Sequence, residues 1–245
     1  MATNPMARHR PAAEGGYQRG EETRLRIVEA ALRLFGERGF EGASTRDIAK
    51  EAGVNAPALQ YYFDNKEGVY IACVEHFVAR VWESLAAPVS AAQATLANPD
   101  ADDSDLIDAY LGLQGCFVSF LSDSPEARDW QLFMARERAG LGPPAAFAVI
   151  DERLNRRLFP VTASIIGRLT GRKPTDDVTK IRTIAIDSQV AVFRMFRRNV
   201  LGALGWEAIG PKEMAQLADV IFEQTRVLLL AFVAARDARQ GTPRD

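Results

Sequence analysis

Three observations predict an all-α chain. Apolar residues recur at three- and four-residue spacing along most of the sequence, no stretch alternates like a half-buried strand, and capped segments follow one another between breakers. The expected architecture is an N-terminal three-helix helix-turn-helix unit followed by a larger helical part. A chain of 245 residues, 47% hydrophobic and 25% charged, has room for both. No internal repeat is present. The expected division is an arm over residues 1–20, the helix-turn-helix domain with its linking helix over 21–81, and the larger domain over 82–245.

The arm is polar and rich in Pro, Gly and Arg, the composition of a disordered segment. Two readings stay open for it: a tail without a role, or an arm whose Arg8, Arg10 and Arg19 add phosphate contacts, with His9 solvated. Residues 21–38 form an amphipathic helix with Leu25, Val28, Leu32 and Phe35 on one face. Gly39 suits its C-cap, and Phe40 can fold back onto its end. Ser44 then has the chemistry of an N-cap, with Asp47 three residues on to complete a capping box. Ile48 and Ala49 give this short helix a buried side, Gly53 turns the chain, and Val54 plugs the corner. Asn55 caps a second short helix, with Pro57 tolerated in its first turn.

On that second helix Leu59 and Phe63 mark the inward face. Pro57, Gln60 and Tyr61 fall opposite, with Ala58 and Tyr62 on the flanks. Two tyrosines and a glutamine exposed on two turns of helix suit a DNA major groove better than they suit packing. Thr45 and its neighbouring N–H groups stand at a helix N-terminus, a ready phosphate site. Arg46 can reach a phosphate or a guanine edge, and Lys66 is placed to clamp the backbone. Gln60 fits a bidentate contact to adenine and Ala58 an apolar contact to a thymine methyl. Tyr61 and Tyr62 can donate hydroxyls to phosphates or lay rings on thymine methyls, Tyr62 equally being part of the core. Ser44, Asn55, Ala56 and Pro57 complete the candidate DNA-contacting set.

Residues 27–69 resemble the N-terminal domain of TetR-family transcriptional regulators. The resemblance is carried by GERGFEGAST, then RDIAKEAGVN, then ALQYYF, then DNKEGVY, in that order and spacing. It implies a homodimeric, ligand-responsive regulator, most often a repressor, whose two recognition helices enter successive major grooves of a palindromic double-stranded operator. It also implies release by a small-molecule effector. Many members have a tyrosine where this chain has Gln60. Asn65 caps the next helix, which runs through Val69, Cys73, His76, Phe77 and Arg80. In the resembling family that helix links the two domains. Cys73 and His76 are spaced to ligate one metal ion, but no further ligand cluster accompanies them, so they read as a core pair.

Beyond Leu85 an Ala-rich passage over residues 86–97 and an acidic loop over 98–105 precede further helices. One carries Leu106, Tyr110, Leu113, Phe117 and Phe120; the next starts at Pro125. A long helix over 147–169 should kink at Pro160, and long helices over 176–204 and 211–239 close the chain. The segment WQLFMARERAGLGPPAAFAVIDERL, followed by a helix with Gln189 and FRMFRR, resembles the C-terminal domain of the CecR (YbiH-like) branch of the same family. The last two helices have the composition of a dimer interface, with Ile184, Ser188, Val192 and Met195 on one and Leu217, Ile221, Gln224 and Leu228 on the other. The alternative is that they close a monomer core. Phe117, Phe120, Trp130, Phe133 and Phe147, with Arg136, Glu137 and Gln189, are compatible with a ligand cavity and equally with an ordinary core.

Bulk properties narrow the remaining classes. A formal charge of −2 argues against a wholly basic nucleic-acid coat, not against a reader with basic groups at one end. The longest apolar run, residues 227–235, is too short to span a bilayer, so no membrane partner is expected. The absence of a signal peptide and the two isolated cysteines point to the cytoplasm, with nucleoid association when bound to DNA. Two histidines and no nucleophile–base constellation, phosphate loop or metal cluster argue against an enzyme, a catalytic residue or a cofactor. A transcriptional activator on the same fold, or a helical interaction module without DNA, remain the alternatives.

Overall fold

The computed structural model describes residues 14–121 and 125–240, with side chains described from 18–121 and 128–240. Every regular element among them is helical: α1 (Glu14–Gly42), α2 (Thr45–Glu51), α3 (Ala56–Tyr62), α4 (Lys66–Ala97), α5 (Asp103–Ser119), α6 (Pro125–Arg138), α7 (Pro144–Ile150), a π-helical turn (Asp151–Asn155), α8 (Arg156–Thr170), α9 (Asp177–Met195), α10 (Arg197–Leu204) and α11 (Pro211–Gln240). None is long and apolar enough to cross a membrane.

The first helix begins seven residues before its expected start, so residues 14–20 of the expected arm are helical, with Arg19 exposed. Arg8, His9 and Arg10 lie outside the described residues. Ile27, Val28, Ala31, Leu32 and Phe35 form the buried stripe of α1, and Leu25 lies outside it. Regular helix ends at Gly39, whose φ of 77° and ψ of 173° need a residue without a Cβ. Phe40 then folds back against the rings of Phe35 and Tyr70, with centroids 5.9 and 5.4 Å away.

The two parts of the chain share α4. Asn65 caps it, accepting from the Gly68 N–H at 2.9 Å, and the helix passes residue 81 without a break. The Ala-rich passage over 86–97 is its last third, buried through Val89 and Ala92, which continue the stripe of Val81 and Leu85 at helical spacing. The acidic loop is correspondingly shorter: Asp102 and Asp105 form a capping box that starts α5.

Pro160 acts upstream of itself. It offers no N–H to the residue 156 carbonyl and crowds it. The π-helical turn sits one turn before the proline, between α7 and α8, so the expected single helix over 147–169 is interrupted there. The expected helix over 176–204 is likewise two helices, broken where Phe196 takes φ −106° and ψ 29°.

Two glycines set how closely the helices meet. A Cβ on Gly36 would lie 3.2 Å from the Cβ of Leu132 and 3.3 Å from the backbone nitrogen of Phe133, so α6 packs directly on the α1 backbone. A Cβ on Gly142 would overlap the Glu137 carboxylate and lie 2.6 Å from the Tyr70 hydroxyl oxygen. Gly142→Ala should therefore destabilise the fold by about 1–3 kcal/mol through overpacking. Thermal melting followed by circular dichroism checks this: the midpoint should fall by several degrees with helix content retained at room temperature.

Candidate nucleic-acid interface and ligand cavity

The candidate DNA-contacting surface stands on two capped turns. Ser44, extended at φ −103° and ψ 153°, accepts from the Asp47 N–H at 3.1 Å and donates its hydroxyl to Asp47 Oδ2 at 2.7 Å. That hydroxyl, helped by the Arg38 charge, holds the Asp47 carboxyl below the usual range. Asn55 Oδ1 accepts from the Ala58 N–H at 2.8 Å. Both side chains expected to touch DNA are thus committed to starting α2 and α3. Gly53 at φ 65° makes the turn between the helices, and the Val54 N–H closes it on the Ala49 carbonyl at 2.9 Å. Arg33 and Glu51, 3.0 Å apart, tie α1 to α2.

On this support Leu59 and Phe63 are buried, while Ala56, Pro57, Gln60 and Tyr61 are exposed, Tyr61 at 84%. Ala58 and Tyr62 are half-buried, the Tyr62 ring packing on the core and standing edge-on to Tyr61 at 5.2 Å. Thr45 opens α2, and Arg46 beside it is exposed, with no carboxylate partner among the described residues. Lys66 is engaged instead: its ammonium lies 4.4 Å from the Phe40 ring centroid and 3.9 Å from Glu41 Oε2.

In the larger part, a cavity of about 840 Å³ is walled by α4 to α9 and the π-helical turn. Of the expected pocket residues, Phe117, Phe120, Glu137 and Phe147 line it. The other four do not. Trp130 stacks on His76 with centroids 5.5 Å apart, which accounts for His76, while the Cys73 thiol points to the Val28 carbonyl at 3.6 Å. Phe133 is fully buried against Tyr70, and Gln189 Oε1 accepts from the Thr225 hydroxyl at 3.2 Å. Arg136 points to α1, donating Nε–H to the Gly36 carbonyl at 2.8 Å and Nη2–H to the Glu37 carbonyl at 2.9 Å. These are the orphan carbonyls of a helix end, so Arg136 caps α1 from another helix.

The charged groups that face the cavity are Glu137, Arg138, Asp187 and Arg194, of which only Glu137 was expected. Glu137 Oε2 accepts the Tyr70 hydroxyl at 2.8 Å; burial pushes its carboxyl up and that bond opposes the shift. Asp187 accepts the hydroxyls of Tyr110 and Thr162, and its open surface gives onto the cavity. Burial pushes its carboxyl up to about 6. Burial pushes the Arg194 guanidinium down to about 10, with the Arg138 charge adding to the shift, so it stays protonated at neutral pH. Burial lowers Arg138 as well.

The family description "Bacterial regulatory proteins, tetR family" matches residues 27–73, and that of the C-terminal domain of "HTH-type transcriptional dual regulator CecR" matches residues 106–232. The chain belongs to the TetR family. Its C-terminal domain is of the CecR type. It is 28% identical over 190 residues to the HTH-type transcriptional dual regulator CecR of Shigella flexneri, covering 78% of this chain and 83% of that one. It is 33% identical over 178 residues to the HTH-type transcriptional repressor AcnR of Corynebacterium diphtheriae, covering 67% and 90%. The fold matches AibR in complex with isovaleryl coenzyme A and operator DNA at TM-score 0.57 and 17% identity, over 82% of this chain and 97% of that one. It matches the SmeT–triclosan complex at TM-score 0.57 and 18% identity, over 84% and 91%. A TetR-family chain is a transcriptional regulator, not an enzyme.

In this TetR-family regulator the last helices leave an apolar face uncovered. From α9 it includes Ile181, Ser188, Val192 and Met195; from α11, Val220, Gln224, Val227 and Leu230. Leu217 and Ile221, expected on that face, are buried inside the chain in a cluster with Val118, Leu121 and Val190, and Leu228 is half-buried against the main core. Ile184 is 55% exposed yet also lines the cavity. The apolar residues of α11 offer two stripes one residue apart, and the packing of α5 chooses between them.

Asp187 gives the protein a pH signature. The folded chain holds its proton up to about pH 6, whereas the ordinary carboxyl releases it near 3.8. Between those values the folded state binds more protons, so this group's contribution to stability falls as pH rises. Asp187→Asn should flatten the pH dependence of the melting temperature across that window; an unchanged slope would contradict the assignment.

Proposed function

We propose that this TetR-family regulator is a repressor that binds a palindromic duplex operator as a homodimer and releases it when a small molecule occupies the cavity. One observation carries the reading. The helix that presents Glu137 and Arg138 to the cavity is the helix whose Arg136 caps α1 of the DNA-binding domain. Whatever moves α6 to accommodate a ligand also moves the floor on which α2 and α3 rest, a coupling of two sites through one element.

The division of labour follows α4, with the reading head on its first turns and the cavity against its middle, at Phe77 and Val81. Gln60 and Tyr61 read bases; Thr45, Arg46 and Lys66 hold phosphates, Lys66 by leaving Phe40; Ser44 and Asn55 hold the helices that present them. The uncovered α9–α11 face supports an isologous four-helix dimer, which would set two recognition helices on half-sites about one helical turn apart. Such a regulator works in the cytoplasm, where the DNA is. The CecR relative is named a dual regulator, which favours a second reading in which the same operator complex activates some promoters. A reporter assay at two operators distinguishes the two.

Fluorescence anisotropy with an operator selected from random duplexes tests the proposal. Gln60→Ala should weaken binding by about 1–3 kcal/mol and relax preference at one base pair. Lys66→Ala should weaken all sequences alike and reduce the salt slope by about one. Identical behaviour of the two variants would refute the division into reading and positioning groups. Val227→Arg places a charge on the uncovered face and should give a folded monomer by sedimentation velocity, with operator binding lost.

A further inference from the structure

We infer that the cavity takes an organic monoanion with a bulky apolar skeleton, and that Arg138 and Arg194 bind its charged head. The inference rests on the reading of the cavity as an effector site and adds the chemical class of the effector.

The walls are dominated by aromatic and aliphatic side chains, which suits an apolar skeleton and disfavours a sugar or nucleotide. The polar groups are segregated. Both carboxylates that face the cavity are already matched by hydroxyl donors, Glu137 by Tyr70 and Asp187 by Tyr110 and Thr162. The two arginines are not matched. Among the described residues neither guanidinium has an ion-pair partner, and Arg194 Nε is enclosed by protein without any hydrogen-bond acceptor. The charge that acts on Arg194 is the other arginine.

Two guanidiniums lining one largely apolar cavity, Arg138 exposed on its wall and Arg194 with its Nε enclosed, are unfavourable unless a negative charge is supplied. No side chain lining the cavity supplies it to them, so the occupant does. A planar carboxylate or a sulfonate presents several oxygens to fork-shaped donors, the geometry for which arginine is suited. With the Glu137 and Asp187 carboxylates lining the same cavity, the two arginines suit one singly charged head and not a chain of phosphates, which the carboxylates would repel. A cationic ligand would meet repulsion at the same corner.

The full-length protein can be titrated with 1-anilinonaphthalene-8-sulfonate and with N-phenyl-1-naphthylamine, the same aromatic skeleton with and without the sulfonate. Arg138→Met and Arg194→Met should each weaken the sulfonate dye about tenfold or more, the scale of a lost charge-assisted hydrogen bond, and leave the neutral dye nearly unchanged. Arg194→Lys should recover part of the loss. Retained binding of the neutral dye shows that the cavity is intact in each variant. Equal loss of both dyes, or sulfonate binding indifferent to both arginines, overturns the inference. Operator release is measured separately: arginine-dependent dye binding that leaves the operator bound sustains the anion site and sinks the repressor-release reading. Operator release with arginine-independent dye binding does the reverse.

Discussion

The structure depends on how closely α6 can approach α1. At Gly36 there is no side chain to hold the helices apart, and the Leu132–Phe133 backbone lies where a Cβ would otherwise point. Arg136 seals that approach by donating to the Gly36 and Glu37 carbonyls, which a helix end would otherwise leave to water. Around this contact Phe35, Phe40, Tyr70 and Phe133 pack as one aromatic group, drawing in α4. The Tyr70 hydroxyl then reaches Glu137 at the edge of the cavity. Reading head, linking helix and cavity wall therefore meet within a single buried cluster.

That arrangement places the orientation of the short helices under the control of their neighbours. The short helices α2 and α3 have few means of holding themselves; α2 buries Ile48 and Ala49, α3 buries Leu59. Their orientation is set by α1 and α4. Under the proposed mechanism a ligand would act by biasing the α6 contact, and its differential affinity for the two states would limit how far the balance can shift. The long α4, continuous from beside α3 to residue 97, ties the exposed Gln60 and Tyr61 surface to the cavity wall at Phe77 and Val81.

The sequence revealed most where the determining chemistry is local. Ser44, Asn55 and Asn65 each cap a helix from the position their side-chain chemistry suits, and Gly39 and Gly53 take the positive φ that their places demand. It revealed less where three-dimensional packing decides. Arg136 and Arg138 are two residues apart, so they point to nearly opposite sides of α6; only the position of α1 determines that the first becomes a cap and the second a cavity group. Trp130 and Phe133 look like pocket walls for the same reason that they are core, being large and apolar. Two adjacent apolar stripes on α11 hid which of them α5 would cover. Asp187 and Arg194 gave no signal at all, since a charged residue on a helix is ordinarily solvated and only the cavity opposite makes these two notable.

The most direct measurement is the affinity of the purified protein for its selected operator with and without the α6 clamp, by fluorescence anisotropy at fixed salt. Arg136→Met keeps the apolar stem and removes both hydrogen bonds to α1. If α6 sets the reading head, operator affinity should change by about 5–150-fold, the scale of an allosteric coupling, while dimerisation and dye binding in the cavity persist. Unchanged operator affinity in a folded Arg136→Met dimer would contradict the account.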